Sequence, residues 1–204
     1  MLNQWINKNY LDADIIKKIS DKFYSAKPFP HFALKNFFNE KKILNLRKEI
    51  LKEKFQKQDK DLFSFSNTND LQFSHSKLVT NFYDFVSSKE FLGFMQKLTN
   101  EKNLVKIDMH AHLFSQGDYL LFHDDVVENR NIAYILYLSK GFREKDGGRL
   151  QLYDIKNPIR PAKEIIPEFN SFVCFKVSRK SLHAVEEVYA NKKRLTIGGW
   201  FYGN

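Results

Sequence analysis

The stretch "LLFHDDVVENRNIAYILYL", residues 120–138, sets a histidine and two aspartates between two apolar runs. Carboxylates beside an imidazole are poor core material, because burying an unpaired charge is costly. That end of the run is therefore either solvent-exposed or close to something positive. The runs on either side belong to a longer series. After residue 103 the chain reads "LVKIDMHAHLFSQG", "YLLFHDD", "RNIAYILYLS", "GRLQLYDI", "AKEIIPEFNSFVCFKV", "SLHAVEEVY" and "RLTIGGWFYG". These are short strand-like segments separated by turn signals, with no helical pattern between them. Such spacing predicts an antiparallel β-sandwich or barrel.

Upstream the texture is helical. "LDADIIKKISDKFY" (11–24) carries apolar residues at helical spacing after an Asp-rich start. "NEKKILNLRKEILKEKF" (39–55) aligns Ile43, Leu44, Leu46, Ile50 and Leu51 mostly on one face, which predicts a second helix. Between them two prolines break the chain, and "HFALKNF" suits a strand. Residues 58–76, rich in Ser, Asn and Asp with interleaved Phe, read as a loop with at most one short strand. Residues 77–100 supply one or two further helices, broken near Ser87–Ser88. The expected architecture is α+β: a single domain over 1–204, with 1–102 as mainly helical support and lid, and 103–204 as a β core.

Composition narrows the class. The 204 residues are 43% hydrophobic and 28% charged, ordinary for a soluble globular protein. Twenty phenylalanines predict an aromatic core. The longest apolar run, "IAYILYL" (132–138), is far short of the ~20 residues that span a bilayer, so no membrane association is expected. The N-terminus has no apolar segment of the kind a signal peptide carries. The lone cysteine, Cys174, rules out an internal disulfide and a Cys-rich zinc site, and a reducing cytoplasm is the expected setting. The formal charge of +9 is uneven: 14 basic against 7 acidic side chains in 1–60, 5 against 9 in 61–125, and 14 against 8 in 126–204. A solvated lysine-rich surface accounts for this, and so does attraction to a polyanionic partner such as a ribonucleoprotein. No RNP, KH or zinc-finger motif accompanies it, so sequence-specific nucleic-acid binding is not expected.

The chemistry follows from strand alternation. Residues i and i+2 of a strand share a face, so His123 and Asp125 can converge while Asp124 points away. His183 is the only histidine downstream of His123. Two imidazoles and one carboxylate on one side of a metal form the facial triad of non-haem Fe(II). Arg194 lies eleven residues past His183 and opens the last strand. A guanidinium inside a barrel needs an anion, and its planar fork suits a carboxylate. A diacid that chelates iron at one end would place its other carboxylate there, which describes a 2-oxoglutarate site.

With "GDYLLFHDD", "IAYILYL", "GGRLQLYD", "FNSFVCFKV", "LHAVEEV" and "RLTIGGWF" in this order, the sequence resembles the Fe(II)/2-oxoglutarate-dependent prolyl hydroxylases. Within them it looks most like the branch that includes the eukaryotic ribosomal-protein prolyl hydroxylases, from about Pro28 to the C-terminus. The resemblance implies a double-stranded β-helix (jelly-roll) core, with His123, Asp125 and His183 as iron ligands. Arg194 would bind the distal carboxylate of 2-oxoglutarate, with Tyr137 helping to hold it, and Arg130 and Trp200 would line the substrate side. It implies Fe(II), 2-oxoglutarate and O2, with ascorbate in support, and a proline-containing protein substrate such as a ribosomal protein or translation factor. The eukaryotic relatives carry a second jelly-roll, whereas this sequence ends directly after "GWFYGN"; a minimal catalytic domain of bacterial or viral type is the expectation. Phe114 stands where some relatives have a cosubstrate-binding tyrosine.

Three readings stay open at this level. They are a prolyl hydroxylase, a cupin-like metalloprotein using His110 and His112 of "HAH", and a non-catalytic ribonucleoprotein-binding jelly-roll. Gln116 occupies the place where a cupin site would add a glutamate, which leaves "HAH" as pocket lining or structure. Asp124 reads as an outward polar residue. Trp200 and Tyr137 could each be core aromatics. Residues 58–76 and 141–148 could close over a substrate or simply connect elements.

Overall fold

The computed structural model describes residues 1–203. Five helices form its α layer: α1 (Leu2–Trp5), α2 (Ala13–Phe23), α3 (Glu40–Ile50), α4 (Lys77–Ser87) and α5 (Lys89–Thr99). Their ends follow local chemistry. Asp12 caps α2 by accepting the Asp14 and Ile15 amides, and Ser88 both ends α4 and caps α5 through the Phe91 amide. Asn100 closes α5 in the left-handed conformation.

The helix expected over 39–55 ends at Ile50. Ile43, Leu46 and Ile50 form its buried stripe, whereas Leu51 is exposed. The chain turns immediately afterwards, which returns Phe55 to the core before a strand begins at Gln56.

Twelve strands follow the chain order: β1 (His31–Leu34), β2 (Gln56–Lys60), β3 (Phe63–Asn67), β4 (Leu104–Ile107), β5 (His110–Phe114), β6 (Tyr119–His123), β7 (Arg130–Tyr137), β8 (Leu150–Leu152), β9 (Lys163–Ile165), β10 (Phe172–Lys176), β11 (His183–Val185) and β12 (Arg194–Gly203). They pair in the order β1-β10-β7-β12-β5-β3-β6-β11-β8-β9, with β4 also on β12 and β2 on β3, and every pairing is antiparallel. The sheet curls into a nearly closed barrel, the double-stranded β-helix expected, with the helices against its β1-β10-β7-β12 side.

One reading is corrected here. Residues 58–76 are no loop: β2 and β3 make a hairpin, followed by a short 3-10 helix over Leu71–Phe73. β3 pairs with β5 through Ser66 and Asn67 and with β6 through Phe63 and Ser64, so it joins the two halves of the barrel. The polar spacers of "FSFSN" disguised it, because Ser64 is buried by hydrogen bonding to Asp118 and not by apolar contact.

The expected aromatic core fills the space between helices and sheet. Phe37 stacks on Phe172 with centroids 4.7 Å apart, Trp5 stacks on Phe85 at 5.6 Å, and Phe91 reaches Phe201 on β12 at 6.2 Å. Each such ring contributes roughly 1.5–3 kcal/mol by leaving water. The helices thereby brace the outer face of the sheet and leave the barrel interior to a second use. No helix among the described residues is long and apolar enough to cross a membrane.

Candidate active site

The barrel interior holds a cavity of about 180 Å³ lined by His123, Asp125, His183, Arg194 and Trp200, among others. β6 and β11 pair so that His123 and His183 face each other, with ring centroids 4.0 Å apart. The Nδ1 of His123 lies 2.8 Å from the Leu121 carbonyl, and that of His183 lies 2.7 Å from the Ser181 carbonyl. A carbonyl only accepts, so each Nδ1 carries a proton and each Nε2 is turned toward the cluster. Asp125 sits between them, its carboxylate oxygens 3.6 Å from His123 Nε2 and 3.4 Å from His183 Nε2. One ligand atom from each of the three lies within 4.8 Å of the others, and no other group of three or more His, Cys, Asp or Glu does so among the described residues.

Asp125 arrives by a different route from the one expected. β6 ends at His123, and Asp125 has φ +62°, in the left-handed region. Strand alternation therefore does not bring the pair together; a turn with a strained aspartate does, at a cost of order 1–3 kcal/mol. Asp124 is held outside the cluster, its carboxylate accepting the Val126 amide at 3.0 Å and its carbonyl accepting the Ser181 hydroxyl.

The electrostatics suit a cation. Burial and the neighbouring His183 push the His123 imidazole down to about 4, so it is neutral near pH 7. Burial alone would raise the Asp125 carboxyl, but His183 and His123 outweigh it and hold the group below its ordinary value. Two imidazole nitrogens and one carboxylate facing open space are the donor types that a catalytic metal with free coordination positions requires.

At the other end of the cavity Arg194 is 1% exposed. Its Nε donates to the Gly148 carbonyl at 2.7 Å, while Nη2 is buried without a partner. Phe114 and Tyr137 flank it, ring centroids 4.9 and 5.2 Å from Cζ, and the buried Tyr137 hydroxyl also lacks a partner. Burial raises the Tyr137 phenol, opposed by the Arg194 charge, so it is a neutral donor. An orphaned guanidinium nitrogen beside an orphaned hydroxyl marks a place for an anion, since buried polar groups are otherwise paired.

Tyr137 flanks Arg194 at the cavity's end, and Arg130 lies beside Trp200, outside the lining. Arg130 lies over the Trp200 ring at 3.4 Å from Cζ to centroid, and both Arg130 Nε and Trp200 Nε1 are buried without partners. Asp108, which sequence reasoning passed over, fixes Trp200: its carboxylate accepts the Trp200 amide at 2.7 Å and the Tyr202 hydroxyl at 2.8 Å. Segment 141–148 is pinned through Asp146, which holds the Arg143 amide and Lys192, and through the Gly148 carbonyl on Arg194. It is a connection that supports the site. Among the described residues His110 and His112 find no third ligand, so no cupin-like cluster forms around them there.

The barrel thus brings together a His-Asp-His cluster that could hold a metal at one end of the cavity and a buried guanidinium with an unpaired nitrogen at the other. Residues 109–202 match the model of the 2OG-Fe(II) oxygenase superfamily. The Fe(II) and 2-oxoglutarate for which that superfamily is named fit the donor set, three residues that could hold a metal and an unpaired buried guanidinium nitrogen. The chain is 35% identical over 184 residues to prolyl 3-hydroxylase OGFOD1 of Xenopus laevis, covering 86% of this chain and 35% of the relative. It is 31% identical over 212 residues to prolyl 3,4-dihydroxylase OGFOD1 of Ostreococcus tauri, covering 93% of this chain and 41% of the relative. The chain thus spans about two fifths or less of the curated relatives it matches. In fold it is similar to a crystal structure of a Pseudomonas putida prolyl-4-hydroxylase, with a TM-score of 0.75, 14% identity, and coverage of 93% of this chain and 100% of that one.

Proposed function

We propose that the protein hydroxylates a prolyl residue in a protein substrate, consuming 2-oxoglutarate and O2. The observation that carries the proposal is the meeting of His123, Asp125 and His183 with an anion-seeking Arg194 in one cavity. The relatives named prolyl 3-hydroxylases extend it from oxygenase to prolyl ring.

The roles follow from the geometry. His123 and His183 would give Nε2, and Asp125 its carboxylate, to Fe(II). Arg194 Nη2 and the Tyr137 hydroxyl would receive the distal carboxylate of 2-oxoglutarate. Trp200, stiffened by Arg130 above and Asp108 behind, would wall the substrate side with a flat apolar surface suited to a compact ring. Bound Fe(II) with 2-oxoglutarate and O2 supplies the oxidation: one oxygen atom enters the substrate C–H bond, the other enters succinate, and CO2 leaves. The oxidation does not discriminate among similar C–H bonds, so selectivity rests on how these residues position the substrate.

Residues 1–204 would act as one catalytic unit, with 103–204 as its core and 1–102 as its support. The buried free Cys174 accords with a reducing cytoplasmic setting. The net charge of +9 favours a substrate associated with RNA, such as a ribosomal protein or translation factor. The test is mass spectrometry of proline-containing peptides from translation proteins after incubation with Fe(II), 2-oxoglutarate and ascorbate. Oxygen on proline with an equal yield of succinate is expected. Oxygen found only on another side chain or on a free small molecule would leave an oxygenase and remove the prolyl assignment.

A further inference from the structure

β5 and β12 run side by side with Phe114 opposite Arg194, His112 opposite Thr196 and His110 opposite Gly198. Alternate residues of a strand share a face, so His112 lies one step from the Arg194 end toward the mouth. It lines the cavity with Arg194, Thr196 and the triad. Its ring stands edge-on to Phe65, centroids 5.6 Å apart, which fixes the plane of the imidazole.

Its strand neighbour His110 is used up structurally, with Nδ1 3.2 Å from the Thr68 carbonyl. His112 is not: neither ring nitrogen has a hydrogen-bond partner among the described residues. Burial, with His110 and Arg194 adding, pushes its imidazole down to about 3. Near pH 7 it is therefore neutral, with one N–H donor and one acceptor. The side chain is half-buried on the cavity wall, so its nitrogens are open to a ligand that enters.

Apart from the Thr196 hydroxyl opposite His112, the other lining residues leave this wall with few means of holding an anion. Phe65, Phe114, Leu120 and Leu150 offer no donor, and the Tyr134 hydroxyl is committed to the Asp108 carbonyl at 2.8 Å. We propose that His112 is a cosubstrate-binding residue, whose imidazole N–H donates to the bound dicarboxylate between its Arg194 end and its metal end. This rests on the 2-oxoglutarate reading of the cavity. It gives a purpose to the second histidine of "HAH", which the metal triad does not use.

The test is calorimetric titration of 2-oxoglutarate into the Mn(II)-loaded protein, for wild type, His112→Ala and His112→Gln, with Mn(II) affinity measured separately. His112→Ala is expected to raise the 2-oxoglutarate Kd about tenfold or more, the range for a hydrogen bond to a charged group. His112→Gln keeps an N–H donor and is expected within about threefold of wild type, by the same donor logic. Mn(II) affinity should be the same in all three. An unchanged Kd in His112→Ala, or a Gln variant as weak as the Ala variant, overturns the proposal. Loss of Mn(II) binding in His112→Ala also overturns it, by making His112 a metal ligand. A wild-type protein that binds Mn(II) but not 2-oxoglutarate would instead overturn the reading of the cavity, and this proposal with it.

Discussion

Replacing Arg194 with lysine keeps the charge and removes the fork. In the structure Nε holds the Gly148 carbonyl at 2.7 Å, and Nη2 is buried with no partner, free for the role proposed for it. An ammonium on a shorter reach cannot serve both. The lost charge-assisted hydrogen bond to a carboxylate contributes about 1.5–3 kcal/mol, which is roughly a 10- to 150-fold rise in the KM for 2-oxoglutarate. Freeing the buried Gly148 carbonyl costs a further ~1–3 kcal/mol of fold stability. For a domain of this length that lowers Tm by roughly 2–4 °C per kcal/mol. Steady-state kinetics over a range of 2-oxoglutarate, with Mn(II) titration and a thermal melt on the same preparation, separate these effects. The expected pattern is a raised KM, a lowered Tm and unaltered Mn(II) affinity. An unchanged KM, or lost metal binding, would refute the role given to Arg194.

Other perturbations reach other parts of the account. Asp125→Ala should lower Fe(II) affinity by more than about 100-fold, exceeding the 10–100-fold typical of an outer-shell partner. Asp124→Ala should keep affinity within about tenfold, because its carboxylate only holds the Val126 amide; the reverse ranking in a metal titration would place the wrong aspartate in the site. His112 and His123 have folded-state values pushed below the ordinary 6.5, so the unfolded chain binds more protons as pH falls through the window from about 6.5 to 4. The urea midpoint of the metal-free protein should therefore fall between pH 7.5 and pH 4.5, more steeply in wild type than in His112→Gln, and equal midpoints would contradict the burial of these imidazoles. A methyl group at Gly199 would stand 2.2 Å from the Asp108 carbonyl oxygen and 2.7 Å from its carboxylate. Gly199→Ala should cost about 1–3 kcal/mol in denaturant unfolding and disturb Trp200, which Asp108 holds; a fully stable variant would mean the backbone yields there.

Much of this was legible in the sequence, for reasons that differ by residue. His123, His183 and Arg194 could be read because each sits on a strand whose period places it inward. Strand alternation points to Asp125, but a left-handed turn beyond the strand end is what brings it beside the two histidines. The hairpin over β2 and β3 escaped because β2 is polar on both faces and the burial of Ser64 in β3 rests on a hydrogen bond to Asp118, too distant in sequence for a local pattern to show. The extent of α3 was overread because Leu51 continues the apolar spacing without any surface to bury it. Contacts such as Arg130 on Trp200, or Asp108 behind it, depend on register between distant strands, which no local pattern encodes.

The most direct test of the site is spectroscopic and anaerobic. Fe(II) and 2-oxoglutarate added together should give a weak visible charge-transfer band with wild-type protein. The same additions should give none with Asp125→Ala, and with Arg194→Lys the band should emerge only at roughly 10- to 150-fold more 2-oxoglutarate. No band in the wild type, or an unaltered band in Asp125→Ala, would contradict the assignment of His123, Asp125, His183 and Arg194 to one iron and 2-oxoglutarate centre.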